Sequence, residues 1–162
     1  MRHIFCAGLL VFLSTLDCHA QVGYAFGVEA GVAQLKSPTD TLTGTSLMFL
    51  ADYEVDPLVA FYGLAGVESA DEGNASVDHR TFGGGVALSL LPVLDLRLGL
   101  GLNLWESEKN GREESQEALS PLAALTVHQT TGALKWGASA TGTRSGEYQS
   151  VALRIFALLL LE

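Results

Sequence analysis

Between Leu94 and Leu104 every second residue is leucine, and the residues between them are Asp95, Arg97, Gly99, Gly101 and Asn103. Only an extended strand sends alternate side chains to opposite faces, so Leu94–Trp105 has one aliphatic face and one polar, glycine-lined face. Coiled as a helix, the run would scatter its leucines around the axis with Asp95 and Arg97 among them. Intrinsic strand preference favours β-branched and aromatic residues over leucine. A face of leucine alone suits surroundings that ask only for apolarity, such as lipid tails. The stretch is therefore read as a membrane-spanning strand, and the rest of the chain must supply its partners.

Seven further segments alternate in the same way. They are Val22–Leu35, Thr45–Val55, Leu58–Ser69, Val77–Leu90, Ala118–Gln129, Ala133–Thr143 and Glu147–Leu161. Leu58–Ser69 is apolar on both sides; placing Phe61 and Val67 outward leaves Glu68 inward near a rim. Asp56-Pro57, Leu91-Pro92-Val93 and Thr130-Thr131-Gly132 are short turns, because Pro and Gly punctuate strands. Lys36–Gly44, Ala70–Ser76, Glu106–Glu117 and Arg144–Gly146 read as polar connections at the other end, Glu106–Glu117 being the longest. Pro121 falls inside the sixth segment, where it is best tolerated near a rim or at a bulge.

The chain opens on a different kind of segment. Arg2 and His3 precede the apolar run Ile4–Leu13, and Cys18-His19-Ala20 offers small residues before a cut at Gln21. That is a secretory signal peptide over 1–20, and the apolar run falls short of the roughly 20 residues a membrane helix needs. Cys6 and Cys18 both lie in it, so the mature domain, 21–162, is expected to have no thiol chemistry. Arg2 and Asp17 cancel, so the mature chain keeps the formal net charge of −9. An acidic chain without a basic run argues against nucleic acid as a partner.

Eight alternating segments with tight turns at one end and polar connections at the other predict an all-β fold, an eight-stranded antiparallel up-and-down transmembrane β-barrel. The pattern resembles the small outer-membrane barrels of the OmpA/OmpX type over Gln21–Glu162. The resemblance implies residence in a bacterial outer membrane after signal-peptide cleavage, long outer loops, a side-chain-filled interior without a wide pore, and roles in envelope integrity or surface interaction. The chain departs from that pattern at Leu158–Glu162, where Phe156 is the last aromatic residue. Tyr24, Tyr53, Phe82, Trp105, Trp136 and Tyr148 are the candidates for the aromatic girdles.

The alternation turns Glu29, Asp52, Glu54, Asp95, Arg97, Lys135 and Arg154 inward. In a barrel of this size such charges must pair, because an isolated buried charge costs several kcal/mol. Cross-lumen pairing of Arg97, Lys135 and Arg154 with Glu29 and Glu54 is expected, with Asp95 in the same network, as a rigidifying plug or a gated ion path. Glu106, Glu108, Glu113, Glu114 and Glu117 make an acidic outer loop, suited to divalent cations bridging to phosphorylated surface lipids or to a basic surface partner. No cofactor is expected. His79 and His128 fall near opposite strand ends, which disfavours a shared metal site.

The reading that follows is a non-catalytic outer-membrane barrel with outer-membrane lipid as its surroundings. Two alternatives stay open. A soluble periplasmic or secreted barrel binding an apolar ligand would invert the faces, with leucines in and Asp95 and Arg97 out. A barrel-embedded lipid hydrolase would draw on Ser120, Ser139 and His128, although nothing in their spacing selects them.

Overall fold

A computed structural model describes residues 23–161. The signal peptide expected over 1–20, with its expected cut before Gln21, and Cys6 and Cys18 lie outside the described residues. The strands are β1 (Gly23–Lys36), β2 (Thr41–Asp56), β3 (Val59–Glu72), β4 (Ala75–Leu91), β5 (Leu94–Lys109), β6 (Arg112–Thr131), β7 (Leu134–Ser145) and β8 (Tyr148–Leu161). Each pairs antiparallel with its sequence neighbours, and β8 pairs with β1 from Tyr24↔Leu161 to Lys36↔Gln149, so the sheet closes into a barrel. Closure leaves no edge in the paired wall, which is what lets strands cross an apolar layer.

The faces follow the alternation. Leu98, Leu100 and Leu102 point away from the barrel, with Leu100 56% exposed, whereas Asp95 and Arg97 are buried in the lumen. The outward wall continues through Phe26, Phe49, Phe61, Phe82 and Ile155, the last 73% exposed. A wall this apolar is stable only in contact with another apolar medium, since each Å² left in water forfeits about 25 cal/mol. The inverted arrangement, with leucines lining the lumen, is not the one the chain adopts. Tyr24, Tyr53, Phe82 and Trp136 are outward as girdle residues must be; Trp105 and Tyr148 are not. Both are buried inside the barrel, Trp105 1% exposed, because each shares the inward parity of its strand.

The connections differ from those expected. All are two residues long except Ser37–Asp40, and none is an extended loop. Glu106–Glu117, expected as the longest loop, is a continuous hairpin: β5 runs to Lys109, β6 starts at Arg112, and only Asn110-Gly111 turn between them. Both turn residues have positive φ, 53° and 76°, the conformation of a tight hairpin turn whose twist matches its strands. Glu106, Glu108, Glu113, Glu114 and Glu117 therefore stand on strands. Ala70–Ser76 likewise contracts to Gly73-Asn74. At the opposite end Asp56 receives the backbone N–H of Leu58 and Val59 at 2.7 and 2.9 Å, which holds the Pro57-Leu58 turn.

The barrel is taller on one side. β6 pairs with β7 only from Leu122↔Thr143 downward, and β2 pairs with β3 only up to Thr45↔Ser69. Beyond those points β3, β4, β5 and β6 pair only among themselves and stand up as a four-stranded sheet. Pro121 sits where β6 parts from β7. It has no N–H to lose, and its carbonyl accepts the Thr143 hydroxyl at 3.0 Å.

Candidate functional site

The lumen holds polar side chains in three tiers, of which the upper two are joined and the one at the tight-turn end is bonded within itself. At the tight-turn end, β5 contributes Asp95, which accepts from Ser89 Oγ at 2.8 Å and from Lys135 Nζ at 3.1 Å. Lys135 also lies 3.7 Å from Glu54, which sits at the rim. His128 Nε2 is 3.1 Å from Asp95 Oδ2, but neither ring nitrogen is aligned for a hydrogen bond.

In the middle tier Arg97 reaches across the barrel from β5. Its guanidinium donates to Asp52 Oδ2 at 2.7 Å and Glu29 Oε1 at 3.4 Å, and lies 5.7 Å from the centre of the Tyr62 ring. Ser139 Oγ completes Glu29 at 3.0 Å. Gly99, beside Arg97 on the inward face of β5, makes room for this bulk: a Cβ there would lie 2.6 Å from the Tyr62 hydroxyl and 2.2 Å from a backbone carbonyl.

The outer tier centres on Glu68. Its carboxylate accepts from Ser46 Oγ at 3.0 Å, Ser150 Oγ at 2.5 Å, His79 Nδ1 at 2.7 Å and Arg154 Nη2. Arg154 donates besides to Ser46 and Thr141 and lies 3.7 Å from Glu29, so it joins the outer tier to the middle one. His79 Nε2 meets Asn103 Oδ1 at 2.8 Å, and the imidazole stacks on Trp105 at 3.8 Å and 12°. Trp105 in turn packs against Tyr148. Between the upper tiers lies a cavity of about 40 Å³ bounded in part by Tyr62, Thr81, Leu122 and Thr141. It admits nothing larger than a few waters.

The structure thus brings Glu29, Arg97 and Arg154 together in the core of the barrel and Glu54, Asp95 and Lys135 together at the tight-turn rim. Sequence reasoning missed that Glu68 is the most heavily engaged carboxylate and that His79 and Asn103 belong to its network. The signal available for them was the register: Glu68 and His79 are direct cross-strand partners once the β3–β4 turn is known to be two residues. Ser120, Ser139 and His128 do not form a nucleophile–base unit. Ser120 is bonded to Ser145 and Ser139 to Glu29.

Above the apolar belt, the outward face of the tall sheet carries Asp71, Asp78, Glu106, Glu108, Glu113 and Glu117, with Arg80 3.5 Å from Glu106 as its cation. Glu114 has the opposite parity and turns inward. Asp78 faces Glu106, and Glu108 faces Glu113, directly across the strands. Like charges directly opposite one another destabilise a sheet. The mouth beside this wall is strapped by Lys109 Nζ, 2.6 Å from Asp40 Oδ1 on the β1–β2 loop. That hydrogen bond, with a second from Thr39, holds the Asp40 carboxyl below its ordinary range.

The arrangement matches solved structures. The chain superposes on Neisserial surface protein A (NspA) with a TM-score of 0.73 and 16% identity, covering 88% of this chain and 99% of that one. Ail, the attachment invasion locus protein of Yersinia pestis, aligns with a TM-score of 0.63 and 13% identity over 87% and 100% of the two chains. The backbone structure of that outer membrane protein in a phospholipid bilayer nanodisc aligns at 0.52 and 14%, over 86% and 99%. No protein-family model and no curated protein sequence matches the chain. At these identities the likeness is one of fold: the closed eight-stranded antiparallel barrel of small outer-membrane proteins.

Proposed function

We propose that this protein is a non-catalytic outer-membrane barrel that works as a surface-interaction element, its acidic upper wall engaging a basic partner. The observation that carries the reading is the outward face of the β3–β6 sheet. Its two like-charge pairs, Asp78 with Glu106 and Glu108 with Glu113, cost stability in the free protein, and a positively charged partner would relieve that cost. β6 above Leu122 also lacks a strand neighbour on one side, so its backbone can add hydrogen bonds to an extended segment. Outer-membrane residence is supported by the apolar belt and by the fold shared with NspA and Ail. Ail has been crystallised with the heparin analogue sucrose octasulfate, a polyanion; the acidic wall here favours the opposite charge.

The plugged lumen supports a structural interior rather than a wide channel. Membrane fractionation with boiled and unboiled gel mobility tests the location: a protein that stays soluble without detergent overturns it. For the wall, a lysine-rich peptide should bind the barrel in vesicles, weaken as salt rises through the range where the Debye length falls to about 8 Å, and be lost in Glu108→Lys/Glu113→Lys. Binding that instead requires Ca²⁺ and a phosphorylated lipid would favour cation bridging. Lipid hydrolysis that disappears in His128→Ala would overturn the non-catalytic reading.

A further inference from the structure

The chain has 18 Asp and Glu against 9 Lys and Arg, so every cation has carboxylates to choose from. Among the described residues most of them take one. Arg97, Lys135 and Arg154 pair inside the lumen. Arg80 pairs with Glu106, Arg112 with Glu114, and Lys109 with Asp40 across the mouth. Lys36 and Arg144 are the two that make no ion pair among the described residues.

Those two are neighbours. Lys36 ends β1, Arg144 stands near the end of β7, and each is the direct cross-strand partner of Gln149 on β8. All three are exposed on the outward face, where β1, β7 and β8 carry no carboxylate. Asp40, in the adjoining β1–β2 loop, is already held by Lys109 and Thr39, and Glu147 in the β7–β8 turn pairs with neither cation. Adjacent strands lie about 4.8 Å apart, so the row spans roughly 10 Å, a gap that two long side chains can close over one ligand. The next outward residues down β8 are Val151 and Leu153, 46% and 61% exposed. The row therefore crowns the apolar belt on the short side of the barrel, away from the acidic wall.

Arg144 is also held in position. Its Nε donates to the Gly146 carbonyl at 3.1 Å, across a turn in which Gly146 has a φ of 62°. That bond orients the guanidinium and leaves its two terminal NH₂ groups without partners among the described residues. A planar fork of this kind matches two oxygens of a phosphate, while Lys36 adds a point charge and the Gln149 amide one more donor.

We propose that Lys36, Gln149 and Arg144 form a binding site for the phosphomonoester headgroup of an outer-leaflet lipid. A phosphomonoester brings nearly two negative charges and three terminal oxygens, enough to engage the fork and the ammonium together. A lipid fits better than a diffusing anion because the site opens directly onto the apolar wall, where acyl chains continue down past Val151 and Leu153. The site rests on the outer-membrane residence inferred above and is independent of what the acidic wall engages.

The test uses the barrel refolded in phosphatidylcholine nanodiscs with increasing fractions of phosphatidic acid, a chelator being present to exclude bridging by divalent cations. The ¹H–¹⁵N signals of Arg144 Nε and of the Gln149 side-chain amide should shift saturably. Lys36→Gln should raise the half-saturating fraction about fivefold, the factor that one lysine near an anionic surface supplies. Arg144→Lys, followed through Gln149, keeps the charge but loses the fork and should also weaken binding; unchanged binding there overturns the fork. An equal response to oleic acid, an anionic lipid without phosphate, overturns phosphate recognition, and the same shifts with inorganic phosphate in pure phosphatidylcholine overturn the lipid as ligand. An undiminished response in Lys36→Gln/Arg144→Gln overturns the site. A lysine-rich peptide should bind the acidic wall equally in that double variant, so the two readings fail separately. A barrel that does not enter the nanodisc overturns the location on which the site rests.

Discussion

Lys109 Nζ and Asp40 Oδ1 meet at 2.6 Å across the outer mouth of the barrel, joining the tip of the β5–β6 hairpin to the β1–β2 loop. Because the folded Asp40 carboxyl titrates below its unfolded range, the strap is fully present above that range and is lost as pH falls through the lower, folded value. Lys109→Met should therefore move the Asp40 titration midpoint upward, toward about 3.9, in a side-chain carboxyl NMR titration. Thermal stability at neutral pH should hardly change, since both groups are near solvent.

Arg154 is the opposite case. It lies between Glu68 and Glu29 with its side chain 3% exposed, so removing it strands buried carboxylates. Arg154→Met should cost about 3–5 kcal/mol in urea unfolding from vesicles, the range for breaking a buried pair at one partner. Adding Glu68→Gln should recover a substantial part of the loss.

The lipid face should be intolerant of charge where the lumen tolerates it. Leu98 lies midway along the leucine belt, and Leu98→Arg should destabilise the barrel by about 2–4 kcal/mol, whereas Leu98→Phe should fold normally. On the lumen face Gly101→Ser should be milder than Leu98→Arg, because a Cβ there meets side-chain rather than backbone atoms, the nearest being the end of Leu122, Cδ1 at 2.8 Å. Gly99→Ala should be worse than Gly101→Ser, its Cβ falling 2.2 Å from the Gly84 carbonyl oxygen.

The two tryptophans should respond oppositely to lipid. Trp136 is 46% exposed on the belt and Trp105 is sealed inside. Brominated lipids should quench the emission of Trp105→Phe protein strongly and that of Trp136→Phe protein little. Equal quenching would return Trp105 to the girdle.

The strands in the belt were legible because lipid and lumen impose opposite demands on adjacent residues, and Leu94–Leu104 records that contrast in every pair. Above the belt the outward face turns polar too, so the alternation fades, and Glu106–Glu117 looks like a loop. The cue that survives there is local chemistry: Asn110-Gly111 is a hairpin turn by its own backbone preference. Mistaking turns for loops hid the register, and with it the Glu68–His79 pair. Trp105 was a different kind of miss. The same parity that turns Asp95 inward turns Trp105 inward, and its size alone suggested the girdle.

The seam between β1 and β8 bears on how the molecule is assembled. Glu29 on β1 and Glu68 on β3 both depend on Arg154 on β8, so their pairing with it waits on the β1–β8 seam. Closing the seam and pairing these two carboxylates with Arg154 are then one event, so Arg154→Met should slow barrel closure as well as weaken the closed barrel.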